Sequence, residues 1–401
     1  MKILKIILLI CNFILLINSL HFGLFAILPF LRKRKKNKII SHQKHKFMIL
    51  IAARNEEKVI GNLIDSLNSQ EYDKSLYKIC VIPNNCNDNT KNIALDKKCI
   101  VIEPNVITKT KGEVLNYTFD YFKNDKSFDT YVIFDADNVV DKYFLKNINN
   151  KLNEGYKVVQ GFRDTKNLYE NYLSGSYALF FYLQNLFLYD SRNRIGESST
   201  VNGTGYAISK EYLNNINHSA KTSTEDIELT CICALNHEII GFSSDARFYD
   251  EQVNSFKVSV KQRKRWIQGS MQVFKTYIKN LFKEIKNNNS FQLIDMIHML
   301  FLPINQALAF IFLLLSYIFI IPFNFIVLGI IIGYIGEIVV SLLLLIIYKK
   351  NIRKLISSIL FFPLFHLSWI PIYIYAIFNS KNNWEEIKHT KSLKIDEILE
   401  E

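Results

Sequence analysis

Tyr131-Val132-Ile133-Phe134-Asp135-Ala136-Asp137 is an apolar run that ends in two carboxylates. A short run rich in β-branched and aromatic residues reads as a buried strand, and the acids mark where it leaves the core. Three earlier runs share this character: Phe47-Met48-Ile49-Leu50-Ile51-Ala52, Lys78-Ile79-Cys80-Val81-Ile82 and Ile100-Val101-Ile102. Helical patterns separate them, through Val59, Leu63 and Leu67, then from Asn89 to Asp96, then from Gly112 to Phe122. Strands alternating with helices predict an α/β domain with a doubly wound, mostly parallel sheet. In such sheets the chemistry gathers at the carboxyl ends of the strands, where the polar clusters of this chain fall.

The 401 residues leave room for such a domain and for membrane segments. Net charge is +12, and eight Lys or Arg with no acid lie in residues 32–46. A basic run beside an apolar segment reads as a cytoplasmic flank near anionic lipid or as a solvated linker, not as a nucleic-acid patch. Ile6 to Leu31 holds no Lys, Arg, Asp or Glu. It is too long for a cleaved signal peptide, lacks a small-residue cleavage site after it, and predicts a signal anchor. Arg32, Lys33, Arg34, Lys35 and Lys36 outweigh Lys2 and Lys5, so the following domain is expected in the cytoplasm. Apolar segments recur from Met299 to Ile320, Phe323 to Ile347 and Leu355 to Phe378; the last holds Pro363, His366, Trp369 and Pro371 and is open to spanning, kinking or re-entering. The expected units are an anchor (1–31), a basic linker (32–46), the α/β domain (47–256), a basic interfacial helix region (257–290), a region of two or three spans (291–380) and a tail (381–401). The six cysteines form no C-x-x-C pair, which argues against zinc and disulfides and for reduced thiols.

Asp135 and Asp137, two apart at a strand end, project to one face. Their hard oxygens suit Mg²⁺ or Mn²⁺ bridging a diphosphate; a polar turn is the plainer alternative. Thr222-Ser223-Thr224 precedes Glu225-Asp226, and Thr222-x-x-Glu225 fits a capping box, which leaves Asp226 free to take a proton from a hydroxyl. Gln262, Arg265, Trp266 and Gly269 recur at helical spacing. Arg can fork onto phosphate oxygens and Trp can seat a sugar ring, whereas Lys257, Lys261 and Lys264 fit a helix on the membrane surface. Lys111-Gly112 opens a helix that could meet a phosphate. Asn202-Gly203-Thr204-Gly205 is a tight turn that admits a ligand to the backbone. Glu337, inside an expected span, either lines a polar path or pairs within the bundle.

Together these segments resemble the membrane-bound family 2 glycosyltransferases, among them cellulose, chitin, hyaluronan and poly-N-acetylglucosamine synthases. The resemblance runs from Phe47 to the Trp384-x-x-x-x-His389 tail. It implies the GT-A fold, an inverting transfer and a nucleotide-sugar donor, usually UDP-linked. Ala52-Ala53-Arg54-Asn55-Glu56 looks like the nucleoside-binding loop, so that Ala53, Arg54 and Glu56 would meet the donor. Lys111-Gly112-x-x-Leu115-Asn116 is similar to the family's donor-side element. Asp135 and Asp137 match its metal pair, with Asp137 the direct ligand, and Asp226, supported by Glu225, matches its base. Gln262-Arg263-Lys264-Arg265-Trp266 matches Q-x-x-R-W, which places Gln262, Arg263, Arg265 and Trp266 on the diphosphate and acceptor. Gly203, Thr204 and Gly205 would support them. Pro83-Asn84-Asn85-Cys86-Asn87-Asp88 departs from the pattern: Asn84 stands where a carboxylate meets the base, and its amide oxygen is expected to accept from uracil N3.

The expected reaction moves a hexose or N-acetylhexosamine onto a glycan or lipid-linked acceptor at the plasma membrane, in polysaccharide synthesis. The alternatives are a non-processive enzyme that makes a glycolipid and an inactive transport or binding protein. Expected partners are the nucleotide sugar, the acceptor and the bilayer, without nucleic acid; an accessory membrane subunit is left open.

Overall fold

The computed structural model describes residues 2–31, 39–106, 108–216, 220–288, 290–379 and 391–400. The basic cluster at 32–36 and Trp384 and His389 lie outside the described residues. The strands are β1 (Phe47–Ala53), β2 (Tyr77–Pro83), β3 (Ile100–Val101), β4 (Thr130–Asp135), β5 (Val139–Val140), β6 (Val158–Thr165), β7 (Tyr206–Ser209) and β8 (Ile240–Asp250). They form one sheet in the order β3-β2-β1-β4-β7-β6-β8-β5. The first four strands run parallel, as their alternation with helices requires. The second half is mixed: β7 pairs antiparallel with both β4 and β6, while β6 and β8 run parallel. The sheet is therefore parallel in its first half and mixed in its second, within the mostly parallel arrangement that the sequence pattern predicts.

Both faces are covered, and β1 shows why its sequence is apolar throughout. Ile49 and Ile51 join Ile60, Leu63 and Leu67 of the helix Ile60–Asn68 in one core layer. Met48 and Leu50 join Val114 and Leu115 of the helix Lys111–Tyr121 in the other. Each fully buried aliphatic side chain stabilises by roughly 1.5–3 kcal/mol, so a strand buried on both sides has few polar positions to spare.

Four helical stretches are long and apolar enough to cross a membrane: Lys5–Leu31, Phe291–Phe319, Phe323–Ile347 and Arg353–Phe378. The helix Phe291–Phe319 begins eight residues before the apolar run at Met299, capped by the Ser290 hydroxyl, which accepts from the Leu293 N–H, and it includes Asp295, whose charge is partnered. Arg192 donates to it from Nε at 2.6 Å and Nη2 at 3.0 Å, and His21 of the first helix bonds it at 2.9 Å. Glu337 pairs with His366 at 3.0 Å inside the bundle. The last stretch breaks into Ile356–Leu367 and Ile370–Phe378 around Ser368 and Trp369. Both of its ends rest on the rest of the fold: the Asn351 N–H donates to the Tyr169 hydroxyl at 3.2 Å, and Gln268 Nε2 donates to the Asn379 carbonyl at 2.6 Å. The tail bonds the α/β domain too, with Asn62 Nδ2 donating to Ser392 Oγ at 2.9 Å and the Lys391 N–H to Glu251 at 3.0 Å. The helix Phe256–Asn287, which carries Gln262 to Trp266, lies between the sheet domain and the apolar helices.

The turn before β7 sets how the antiparallel strand enters. Gly205 has φ +63°, its N–H donates to Ile133 O at 2.8 Å, and a Cβ there would stand 2.1 Å from the Phe248 ring. Left-handed backbone and a blocked Cβ act together. Gly205→Ala is expected to destabilise the protein by about 2 kcal/mol or more, seen as a lowered Tm.

Candidate active site

A cavity of about 500 Å³ opens at the carboxyl ends of β1, β2 and β4. At one end it is lined by Ala53, Arg54, Glu56 and Asn84. Arg54 Nε donates to the Asn84 carbonyl at 3.0 Å and Nη2 to the Thr108 carbonyl at 3.1 Å, which ties the ends of β1 and β2 to the segment after β3. The amide oxygen of Asn84 already accepts from the Thr108 hydroxyl at 2.5 Å.

The middle is built around Lys111, the first residue of its helix. Its ammonium donates to Asp135 Oδ1 at 2.5 Å and to the Gly203 carbonyl at 2.7 Å, and lies 3.8 Å from Glu225 Oε1. Burial works to lower its pKa, but Asp135 and Glu225 outweigh it and the pKa is raised. Asp135 takes its place because its N–H donates to Thr204 Oγ1 at 2.9 Å. Asp137 is 3 % exposed and accepts from the Glu251 N–H at 3.3 Å. Among the described residues no group of three or more His, Cys, Asp or Glu is gathered as a cation cage. The donor set present is two hard carboxylates at one strand end, which fits Mg²⁺ or Mn²⁺ completed by phosphate and water.

Beyond Lys111 lie Glu225 and Asp226, at the start of the helix Glu225–Leu235. The Ile227 N–H donates to Asp226 Oδ1 at 2.8 Å. Asp226 Oδ2 faces Gly203, where a Cβ would stand 3.4 Å away; φ +69° also favours glycine there. Burial raises the pKa of Asp226 and lifts that of Glu225 to about 7, with Lys111 opposing both shifts. The capping box expected from Thr222 and Glu225 is absent. Thr222 instead donates from its hydroxyl at 2.8 Å and from its N–H at 2.8 Å to Glu228, which Tyr277 also bonds at 2.6 Å. Glu228 closes the turn, and Glu225 is released to face Lys111.

The helix Phe256–Asn287 brings Gln262, Arg265 and Trp266 to the cavity wall. Burial lowers the Arg265 pKa, and Asp135, Glu225 and Asp226 counter it. Gly269 allows this approach, since a Cβ would stand 2.2 Å from Thr224 Cγ2. Arg263, two residues from Arg265, turns away. It is fully buried, donates to Ser368 Oγ at 2.7 Å and lies over the Phe365 and Trp369 rings, so the structure does not bring it to the diphosphate end.

Several lining residues escaped the sequence reading. Arg163 bonds Asp250 through Nε at 2.9 Å, and burial lifts Asp250 to about 6. The residues before Asp250-Glu251 mix Ser243, Ser244, Asp245 and Arg247 with the aromatics Phe248 and Tyr249, so no continuous apolar run marked either acid in the sequence. Trp369 stacks on Trp266 with centroids 6.3 Å apart at 26°, and Tyr373 stacks on Trp369. Met299, Leu302 and Pro303 also line the cavity.

A mixed sheet of this order with acids at the end of its central strand defines the class: a GT-A-type domain. Residues 45–269, over half of the chain, match the model of glycosyltransferase-like family 2, and the chain belongs to that family. It is 26 % identical to a probable glycosyltransferase, YdaM, of Bacillus subtilis (strain 168), over 59 % of this chain and 58 % of that protein. It is 25 % identical to a beta-monoglucosyldiacylglycerol synthase of Nostoc sp. (strain PCC 7120), over 62 % of this chain and 54 % of that one. The matches therefore span little more than half the length of these curated relatives. Among solved structures, the mannosyltransferase PcManGT from Pyrobaculum calidifontis, in complex with GDP-Man and Mn²⁺, superposes with a TM-score of 0.59 at 13 % identity, covering 91 % of this chain and 98 % of that one.

Glu225 gives a direct test of this electrostatic arrangement. Its native pKa is raised to about 7 from an ordinary 4.5, so the folded state holds a proton that the unfolded state releases. The resulting stability is complete below about pH 4.5 and is lost as pH rises through about 7. Glu225→Gln is expected to flatten this dependence in denaturant titrations between those pH values.

Proposed function

We propose that this chain is an inverting glycosyltransferase that moves one sugar from a nucleotide-linked donor to the hydroxyl of a membrane lipid. The observation that carries this reading is the apolar part of the cavity wall. Polar groups surround Lys111 and Asp226, and the same cavity is lined by Trp266, Ile267, Phe180 and Leu188, with Met299, Leu302 and Pro303 from the apolar helix Phe291–Phe319. Acyl chains suit such walls, and a growing hydrophilic glycan does not. The Nostoc relative, named as a synthase of a glucosylated diacylglycerol, supports an acceptor of this class.

In this reading Asp226 Oδ2 takes the proton of the acceptor hydroxyl. The acceptor's hydroxyl oxygen, its proton now on Asp226, bonds to the anomeric carbon as the carbon–oxygen bond to the diphosphate breaks, the electron pair leaving with the diphosphate. A single displacement inverts the centre. The raised pKa of Asp226 makes it a stronger base, and the Ile227 N–H fixes its aim. Lys111 and Arg265 hold the negative charge of the leaving group. A divalent cation on Asp135 and Asp137, Mg²⁺ or Mn²⁺, would supply Lewis-acid stabilisation of that charge; the Mn²⁺ and GDP-Man in the Pyrobaculum mannosyltransferase support it. Ala53, Arg54 and Glu56 would hold the nucleoside, and Gln262 and Trp266 the acceptor head. The first helix, Phe291–Phe319 and Phe323–Ile347 would cross the plasma membrane. The broken segment 353–378 would re-enter, leaving the tail and the α/β domain together in the cytoplasm.

Membranes holding the protein, given labelled nucleotide sugars, diacylglycerol and soluble oligosaccharides, are expected to yield labelled mono-glycosylated lipid with Mg²⁺ or Mn²⁺ and little with chelator. Polymer, or label on the oligosaccharides alone, would count against the lipid acceptor. Asp226→Asn is expected to lower kcat by about 10²–10⁴ while donor binding persists. Leu302→Arg should lower transfer to lipid and leave donor hydrolysis unchanged.

A further inference from the structure

The helix Phe256–Asn287 carries seven lysines and a single acid, Glu284. Lys257, Lys261 and Lys264 precede Gln268, and Lys275, Lys279, Lys283 and Lys286 follow it. At about 100° per residue all seven fall within one sector of similar width. Glu284 falls outside that sector and bonds His237 at 3.0 Å. Ser259, Val273, Tyr277 and Leu281 lie on the opposite side and are buried. Every one of the seven lysines except Lys264 is exposed, and Phe282, in their sector, is 49 % exposed. Lys275, Lys279 and Lys283 follow one another four residues apart, a spacing at which like charges repel. A face that met only water would mix the two signs. A stripe of one sign calls for the opposite charge against it.

The neighbours of the stripe say what carries that charge. Gln268 lies in the same sector and is buried, and its Nε2 donates to the carbonyl of Asn379, just past the apolar helix Ile370–Phe378. Lys264 Nζ lies 3.9 Å from the Tyr375 ring of that helix. The stripe therefore faces the side on which an apolar segment ends. At its other end, Lys286 is followed closely by Phe291, the start of a helix long and apolar enough to cross a membrane. At a bilayer surface the lysine stems and Phe282 would rest on the apolar rim while the ammonium groups reach the headgroups. A nucleic acid would match the charge alone and leave Phe282 in water. We propose that the stripe from Lys275 to Lys286 is a docking surface for the anionic headgroups of the bilayer, phosphodiester lipids such as phosphatidylglycerol. It seats on the membrane the same helix that carries Gln262, Arg265 and Trp266 to the cavity. This rests on the reading above that the apolar helices cross the bilayer.

The test is amide hydrogen exchange of the full-length protein in nanodiscs, of phosphatidylcholine alone or with phosphatidylglycerol as roughly one third of the lipid. Exchange across residues 275–287 is expected to be about fivefold slower with phosphatidylglycerol at low salt, and molar salt should erase the difference. Lys275→Gln, Lys279→Gln, Lys283→Gln and Lys286→Gln combined should remove it as well. The four corresponding Arg substitutions, which keep the charge, should preserve it. Equal exchange in the two kinds of disc, or a difference that persists in the Gln variant, would overturn the proposal. So would equal slowing by inorganic phosphate or duplex DNA added to phosphatidylcholine discs. A protein that stays in solution without detergent and does not enter discs would overturn the membrane-crossing reading together with the proposal. Entry into discs without an effect of phosphatidylglycerol would overturn the docking surface alone.

Discussion

The site depends on one buried cation. Lys111 reaches from the start of its helix to Asp135 at the end of β4, to the Gly203 carbonyl in the turn before β7, and toward Glu225 at the start of the next helix. Three segments distant in sequence meet on one ammonium. Without it, Asp135, Glu225 and Asp226 would repel one another in a region that water screens poorly. Glu225 shows the residual tension, since even beside Lys111 it holds its proton to about pH 7. A charge surrounded by three acids stabilises only while its partners stay in register, so the arrangement specifies geometry more than it adds stability.

The half that carries the apolar helices is organised by aromatic packing around a second buried cation with a different task. Among the described residues Arg263 has no carboxylate partner; it bonds Ser368 and the Phe365 carbonyl and lies against the Phe365 and Trp369 rings. That contact holds the break in the last apolar segment against the helix Phe256–Asn287. Trp369 is thereby placed beside Trp266, and the floor of the cavity draws on two remote parts of the chain.

The parallel strands and the two acids of β4 were legible in the sequence because burial on both faces forces continuous apolar runs that end abruptly in polar residues. β7 was not, since four residues carry too little pattern and its pairing depends on the turn at Gly203 and Gly205. Arg263 and Arg265 were indistinguishable by type. Two residues along a helix turn a side chain by about 200°, so only one of them can face the cavity. Glu225 and Glu228 follow the same logic: either acid satisfies a first-turn preference, and the choice was made by Thr222 and Tyr277. The apolar wall at Met299, Leu302 and Pro303 read as ordinary membrane helix, because its function lies in what it packs beside.

The clamp formed by Asp295, Arg192 and His21 bears on how the protein is made. An acid near the centre of a lone apolar helix costs about 2.5–3.5 kcal/mol on insertion. Asp295, close to the start of its helix, is matched by a guanidinium that belongs to the globular domain and by an imidazole from the first helix. Those partners precede it in the chain and emerge from the ribosome earlier. The domain thus has its docking arginine in hand before Asp295 is made, and synthesis joins the first helix, the α/β domain and the later apolar helix in a fixed order.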